Sequence, residues 1–141
     1  MTRSLDGMSV LIVEDEIIIG MMLGEEVMQA GGVPIGPVTT VAGALKEIES
    51  RRVDAVILDA KLFDGSAADL AACLEERRIP YVVTSGYDET NLPRELRGAP
   101  FVAKPISAPL LVETIERLVA ASEPHRAPRP IEVLPATPDR S

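Results

Sequence analysis

Three carboxylates, a hydroxyl and an ammonium group stand at the ends of apolar, strand-like stretches. Glu14 and Asp15 follow LIV, Asp59 follows AVIL, Ser85 ends YVVTS, and Lys104 follows FVA. Carboxylates that lie close together repel one another, and this repulsion raises the pKa of some of them. A divalent cation relieves the repulsion, and an all-oxygen set of ligands suits octahedral Mg²⁺. If the chain gathers these groups, their types predict a magnesium site beside a lysine.

The segments around these residues predict an α/β fold. Five short apolar runs, rich in β-branched residues, are typical of strands, and five other segments carry helical patterns. The fourth helical segment is weak because Pro93 interrupts it. The predicted strands are Met8–Val13, Val33–Val38, Asp54–Leu58, Pro80–Thr84 and Phe101–Ala103, and the predicted helices are Asp15–Ala30, Thr40–Arg51, Ser66–Arg78, Asp88–Arg97 and Ser107–Ala121.

The alternation of strands and helices predicts a doubly wound parallel sheet of five strands with helices on both faces. The second strand contains Pro34 and Pro37, which cannot donate hydrogen bonds to a neighbour, so it is predicted at an edge. In the flavodoxin-like order 2-1-3-4-5, strands one, three, four and five are contiguous. Sites in such sheets form at the carboxyl ends of the strands, so this order would gather all the polar groups named above.

The first helix is rich in apolar side chains. Its spacing predicts that Ile18, Met22 and Leu23 face the core. Met21 and Met28 are likewise interpreted as packing residues. A methionine-rich surface that binds a partner is the alternative, since methionine adapts to many surfaces.

Length, composition and charge limit the classes of function. The 141 residues suit about one domain. The net charge of −8 argues against binding a nucleic acid. The single cysteine, Cys73, fits a reducing compartment, and the start of the chain has no signal-peptide core. No apolar run is long enough to span a membrane. These features predict a cytoplasmic protein with neither nucleic acid nor membrane as a partner.

The chain divides into three predicted parts. Residues 1–7 form a short N-terminal extension, residues 8–121 carry the strand and helix patterns, and residues 122–141 form a tail. Five prolines lie in the tail, and its charges roughly cancel. This composition predicts a flexible segment that is too short to be an output domain.

The ordered set of strand-end residues resembles the receiver domains of bacterial two-component response regulators, over about residues 8–121. The run SGYDETNLPRELRGAP is similar to a subgroup of stand-alone alphaproteobacterial receivers with a shortened fourth helix. The residues that carry the family resemblance are Glu14, Asp15, Asp59, Ser85, Lys104 and Pro105.

The resemblance implies a phosphorylation site. Asp59 would accept a phosphoryl group from a histidine kinase or a histidine phosphotransfer protein. Mg²⁺ would be bound by Asp59 and Asp15 directly, by Glu14 through a water, and by the backbone carbonyl of Lys61. The side chains of Lys61 and Tyr87 are interpreted as groups that tune the attack of water on the acyl phosphate.

The resemblance also implies a conformational switch. Lys104 would pair with the phosphoryl oxygens, and Ser85 would donate its hydroxyl to them, with Thr84 as a competitor for that role. Phe101 would change its rotamer together with the hydroxyl. The peptide bond between Lys104 and Pro105 is expected to be cis, which costs little before proline.

The function implied is that of a single-domain response regulator, which is not an enzyme beyond its own phosphorylation and dephosphorylation. It would switch the binding of a downstream protein or shuttle phosphate in a phosphorelay.

A phosphorylation-independent interaction module is the first alternative. A small phosphatase is disfavoured because Lys61 replaces the second aspartate that such enzymes need. A flavodoxin-like cofactor binder is disfavoured because Glu14 and Asp15 would repel a phosphate.

Overall fold

The computed structural model describes residues 5–62, 65–86, 92, 94–96 and 98–122. The strands are β1 (Ser9–Val13), β2 (Val33–Val38), β3 (Ala55–Asp59), β4 (Lys61–Leu62), β5 (Gly65–Ser66), β6 (Tyr81–Ser85) and β7 (Phe101–Ala103). The helices are α1 (Ile17–Gln29), α2 (Val41–Ser50), α3 (Ala67–Glu76) and α4 (Ala108–Ser122), with a 3-10 turn at Arg94–Leu96.

Five of the strands form one parallel sheet in the order β2-β1-β3-β6-β7. This order confirms the predicted order 2-1-3-4-5, because β4 and β5 pair only with each other in a small antiparallel hairpin. The hairpin was not predicted. The strand with Pro34 and Pro37 lies at the edge of the sheet, as its prolines require.

The sheet is covered on both faces, as predicted. Successive residues of a strand point to opposite faces, so each central strand contributes to two cores. Leu11 and Leu58 lie in the core under α2 and α3, whereas Ile12 and Ile57 lie in the core under α1 and α4. Every residue of β3 is buried, which is why its sequence is an almost continuous apolar run.

The orientation of α1 differs from the prediction. Ile18 and Met22 were expected to face the core, but they are 74% and 61% exposed. Met21 and Met28, interpreted as packing residues, are 61% and 58% exposed. Of the predicted core positions, only Leu23 is buried. These four exposed side chains therefore form a surface rather than part of the core.

Two glycines explain this orientation. A Cβ on Gly20 would lie 2.5 Å from Pro37, and one on Gly24 would lie 3.6 Å from Pro34. The side of α1 that bears the glycines thus lies directly against β2, and a larger side chain at Gly20 would not fit there. The helix is apolar nearly all round, so its hydrophobic pattern alone does not select the buried side.

Several boundaries also differ. The first helix begins at Ile17 rather than Asp15, and the third begins at Ala67 after β5. The weak fourth helix is represented, among the described residues, by the 3-10 turn. Tyr87, residues 1–4 and residues 123–141 lie outside the described part of the chain, so their predictions are untested. Within the predicted extension, Leu5 is fully buried and packs with the core under α1 and α4.

Among the described residues, no helix is both long enough and apolar enough to cross a membrane.

Candidate functional site

The carboxyl ends of the central strands open into a crevice of about 640 Å³. Such a crevice is where an open α/β sheet places its ligands. Polar residues dominate its lining, which consists of Asp15, Glu16, Asp59, Lys61, Leu62, Ser85, Gly86 and Lys104.

Three carboxylates converge at this crevice. The side chains of Glu14, Asp15 and Asp59 each offer an oxygen, and these oxygens lie within 4.8 Å of one another. Glu14 is fully buried and Asp59 is 3% exposed. The Glu14 backbone N–H donates to the Val38 carbonyl at 2.9 Å, and the Glu16 N–H donates to Glu14 Oε2 at 3.2 Å. The turn between β1 and α1 therefore holds the Glu14 carboxylate in place.

Lys104 supplies the opposite charge. Its Nζ lies 3.2 Å from both carboxylate oxygens of Glu14 and 3.5 Å from Asp59 Oδ1. Its backbone N–H donates to the Ser85 carbonyl at 2.9 Å, and its peptide bond to Pro105 is cis. Burial acts to lower the pKa of Lys104, but the attraction of Asp59 and Glu14 outweighs burial and raises it. The ammonium group therefore keeps its charge at neutral pH.

The Asp59 carboxyl group is strongly perturbed. Its burial, followed by the neighbouring carboxylates of Asp15 and Glu14, raises its pKa to about 8, although Lys104 opposes this rise. While no cation lies beside it, this rise in pKa favours the protonated form of Asp59. The proton reduces the like-charge repulsion that the convergence of carboxylates creates.

The donors present fit a small divalent cation. All of them are oxygens, and the three carboxylates face a single close ammonium group within the described part of the chain. Glu14 Oε1 is buried, and no described residue gives it a well-aligned hydrogen bond. Hard cations such as Mg²⁺ prefer carboxylate oxygens and water as ligands. The site can thus hold a cation beside Asp59.

The two hydroxyl candidates of β6 occupy different places. Ser85 lines the crevice and is 3% exposed. Thr84 pairs with Asp59 in the sheet register but is not part of the crevice lining. Its buried Oγ1 has no hydrogen-bond partner among the described residues. Alternation along the strand therefore brings Ser85, rather than Thr84, to the crevice.

The remaining predicted residues lie around the carboxylates and Lys104. Lys61 is exposed and lines the crevice from the β4–β5 hairpin. Phe101 is partly buried and packs against the core under α2 and α3.

Sequence reasoning missed Glu16, Leu62 and Gly86 as lining residues. Glu16 could have been predicted to line the crevice, because it directly follows Glu14 and Asp15 in the sequence. Leu62 could not, because its position depends on the β4–β5 hairpin, which was not predicted.

Known proteins resemble this chain. No family model matches it. The transcriptional regulatory protein PdtaR of Mycobacterium tuberculosis is 31% identical over 115 residues, which cover 79% of this chain and 56% of that protein. This chain thus spans about half the length of the curated relatives that it matches.

Two solved structures extend the comparison. SdrG from Sphingomonas melonis Fr1 is 32% identical, with a TM-score of 0.70, over 84% of this chain and 99% of that one. A CheY-like response regulator receiver domain from Methylobacillus flagellatus is 25% identical, with a TM-score of 0.70, over 80% of this chain and 99% of that one. Together with the strand order and the polar groups at the strand ends, these similarities show that the chain belongs to the response regulator receiver domain family.

Proposed function

We propose that this receiver domain accepts a phosphoryl group on Asp59 from a phosphohistidine of a histidine kinase or a histidine phosphotransfer protein. The observation that carries the proposal is the environment of Asp59: a nearly buried carboxyl group in an open crevice, 3.5 Å from an ammonium group and beside two further carboxylates. Such an environment positions an acceptor and compensates the charge of an incoming phosphoryl group.

The transfer is a displacement at phosphorus. Asp59 first releases its proton to solvent, and its ionised oxygen attacks the phosphorus atom and forms an O–P bond as the N–P bond to the donor imidazole breaks. The electron pair of the broken bond returns to the imidazole nitrogen, which takes up a proton from solvent. Lys104 stabilises the negative charge on the phosphoryl oxygens, and Ser85 donates its hydroxyl to one of them.

Mg²⁺ is the cation that this proposal assigns to the site. Asp15 and Asp59 would bind it directly, Glu14 through a water, and Lys61 through its backbone carbonyl. When bound, the ion supplies positive charge that compensates the carboxylates and the phosphoryl oxygens. The chain itself contributes the convergence of the strand ends, which keeps the carboxylate oxygens within 4.8 Å of one another.

The product is proposed to act as a switch. The added oxygens on Asp59 draw the Ser85 hydroxyl towards them, and Phe101 changes its rotamer in response, which biases an equilibrium between two conformations. Tyr87 and the Lys61 side chain would set the lifetime of the acyl phosphate. The output is the binding of a downstream protein or onward transfer in a cytoplasmic phosphorelay, without turnover of external substrates.

The experiment is phosphorylation by acetyl phosphate and Mg²⁺, read as intact protein mass. Wild type should gain one phosphoryl group, whereas Asp59→Ala should gain none. Asp69→Ala is the matched control, because Asp69 is an exposed aspartate in the first turn of α3 and is not among the residues that line the crevice. Chelation of Mg²⁺ should prevent the adduct. An adduct on the Asp59 variant, or none on wild type with either acetyl phosphate or a histidine kinase, would contradict the proposal.

A further inference from the structure

The mouth of the crevice carries one more carboxylate, that of Glu16. This side chain is exposed and lines the crevice together with Asp59 and Lys104. Glu16 is the N-cap residue of α1, but its side chain makes no capping hydrogen bond. Its backbone N–H is the group that holds Glu14. The charge of Glu16 is therefore not required for the cap, and its exposed carboxylate lines the crevice that contains Asp59.

The charge of Glu16 reaches the reacting groups. Its side chain lines the same crevice as Lys104 and Asp59, so the three side chains face one small volume. An anion that approaches Asp59 from solvent therefore meets the repulsion of Glu16 as well as the attraction of Lys104. Because charge repulsion depends on the charge of the incoming group, a doubly charged donor is opposed more strongly than a singly charged one.

Exposed apolar side chains begin immediately after Glu16. Ile17 is 49% exposed and Ile18 is 74% exposed, and they are followed along α1 by Met21 and Met22. We call these four side chains the mouth strip. Contiguous exposed apolar surface is typical of a protein-binding site. A donor carried on a protein can bury the mouth strip, whereas a small free anion gains little from it.

We propose that Glu16 is a specificity-determining residue that disfavours free anionic phosphodonors and thereby reserves Asp59 for a phosphohistidine carried on a protein. This inference rests on the proposed phosphorylation of Asp59. The repulsion by Glu16 acts on every anionic donor, but only a protein donor offsets it by burying the mouth strip.

The test compares Glu16→Gln with wild type, using acetyl phosphate as the doubly charged donor and phosphoramidate as the singly charged one. With saturating Mg²⁺ and low salt, the variant should be phosphorylated by acetyl phosphate roughly two- to fivefold faster. The gain should be smaller with phosphoramidate. It should fade at about 0.5 M salt, because exposed charges are screened over a few ångströms there.

Two controls separate the charge of Glu16 from other effects. Glu25→Gln removes an equal charge from the same helix, outside the crevice lining, and should react like wild type. Glu16→Asp keeps the charge and should also react like wild type. A merely structural role of Glu16 would not produce a gain that depends on salt and on donor charge.

The outcomes distinguish this inference from the proposed function. If Glu16→Gln and wild type react at equal rates in low salt, or if the gain is the same for both donors and persists in high salt, Glu16 does not select donors, while phosphorylation of Asp59 stands. If neither protein gains an adduct from any donor, small or protein, the proposed function fails and this inference fails with it.

Discussion

The crevice and the outer side of α1 both reverse the usual placement of side chains, but in opposite senses. In the crevice, charged groups are buried: Glu14 is fully buried and Asp59 is 3% exposed. On α1, apolar groups are exposed, with Ile18 at 74% and Met22 at 61%. Buried charge costs free energy unless it is compensated, and clustered apolar surface favours association. Each region therefore indicates binding.

The two regions differ in how narrowly they define what they bind. In the crevice, the donor atoms, their spacing and the nearby ammonium group suit a small cation and few other ligands. The mouth strip selects only for apolar surface of adequate size. Converging polar groups thus narrow the chemistry of a ligand, whereas an exposed apolar side of a helix favours association but says little about the chemistry of a partner.

The largest expected effect concerns Lys104, on which charge compensation in the crevice depends. Lys104→Met should slow phosphorylation by acetyl phosphate about 100- to 1,000-fold, because a preorganised positive charge beside the phosphoryl oxygens is lost. Time courses of intact mass measure this rate. Lys46→Met, at an exposed lysine of α2, is the control and should react normally. If Lys104→Met is phosphorylated as fast as wild type, the charge of Lys104 does not stabilise the phosphoryl oxygens.

Next in size is the contrast between two adjacent residues of α1. Leu23→Ala should lower the free energy of unfolding by about 2–4 kcal/mol, because it empties part of a buried site. Met22→Ala should change it by less than about 0.5 kcal/mol, since its side chain is exposed. Urea denaturation of both variants gives the two values. Comparable losses at the two positions would mean that the exposed side of α1 has been placed wrongly.

A smaller effect follows from the raised pKa of Asp59. Between the ordinary value of 3.8 and about 8, the folded protein keeps a proton that the unfolded chain has released. In the absence of Mg²⁺, the contribution of Asp59 to the free energy of unfolding should therefore fall as pH rises through this window.

Asp59→Asn is the control for this pH dependence. It removes the titrating group, so its stability should decline less than that of wild type between pH 4 and pH 8. Denaturation curves of the two proteins at a series of pH values without Mg²⁺ provide the comparison. Parallel profiles would show that Asp59 is not protonated in the folded state over this range.

The smallest expected effect is that of a single exposed residue of the mouth strip. With a histidine kinase that phosphorylates wild type, Ile18→Ser should lower the rate severalfold, because less apolar surface is buried with the donor. The rate with acetyl phosphate should not change. Glu76→Gln, at an exposed residue of α3, serves as the control. If the rates with the kinase and with acetyl phosphate both fall, Ile18 affects the reaction in the crevice rather than the binding of the protein donor.

Much of the sheet was predictable from sequence, for a physical reason. Residues 55–58 are all apolar because both faces of a parallel strand are buried, and Pro34 and Pro37 assign β2 to an edge. Since parallel strands end at one edge of the sheet, the polar residues that follow them were expected to converge. The crevice around Asp59 has that arrangement.

Other features depended on contacts between distant segments. Whether Met22 or Leu23 is buried depends on Gly20 and Gly24, which let α1 approach the prolines of β2. The α1 pattern is apolar on nearly every side, so its period does not distinguish the two residues. The β4–β5 hairpin, which carries Lys61 into the crevice lining, consists of two two-residue strands, too short to leave a pattern.

Sequence alone was therefore sufficient for the five strands of the sheet, the edge strand and the set of groups at the strand ends, because burial and proline leave a local record in the chain, whereas the strand order came from the resemblance to a known fold. The exposed side of α1 and the position of Glu16 at the crevice mouth were decided by packing. Close approach between a helix and an edge strand depends on the shapes of both surfaces, and neither segment carries that information by itself.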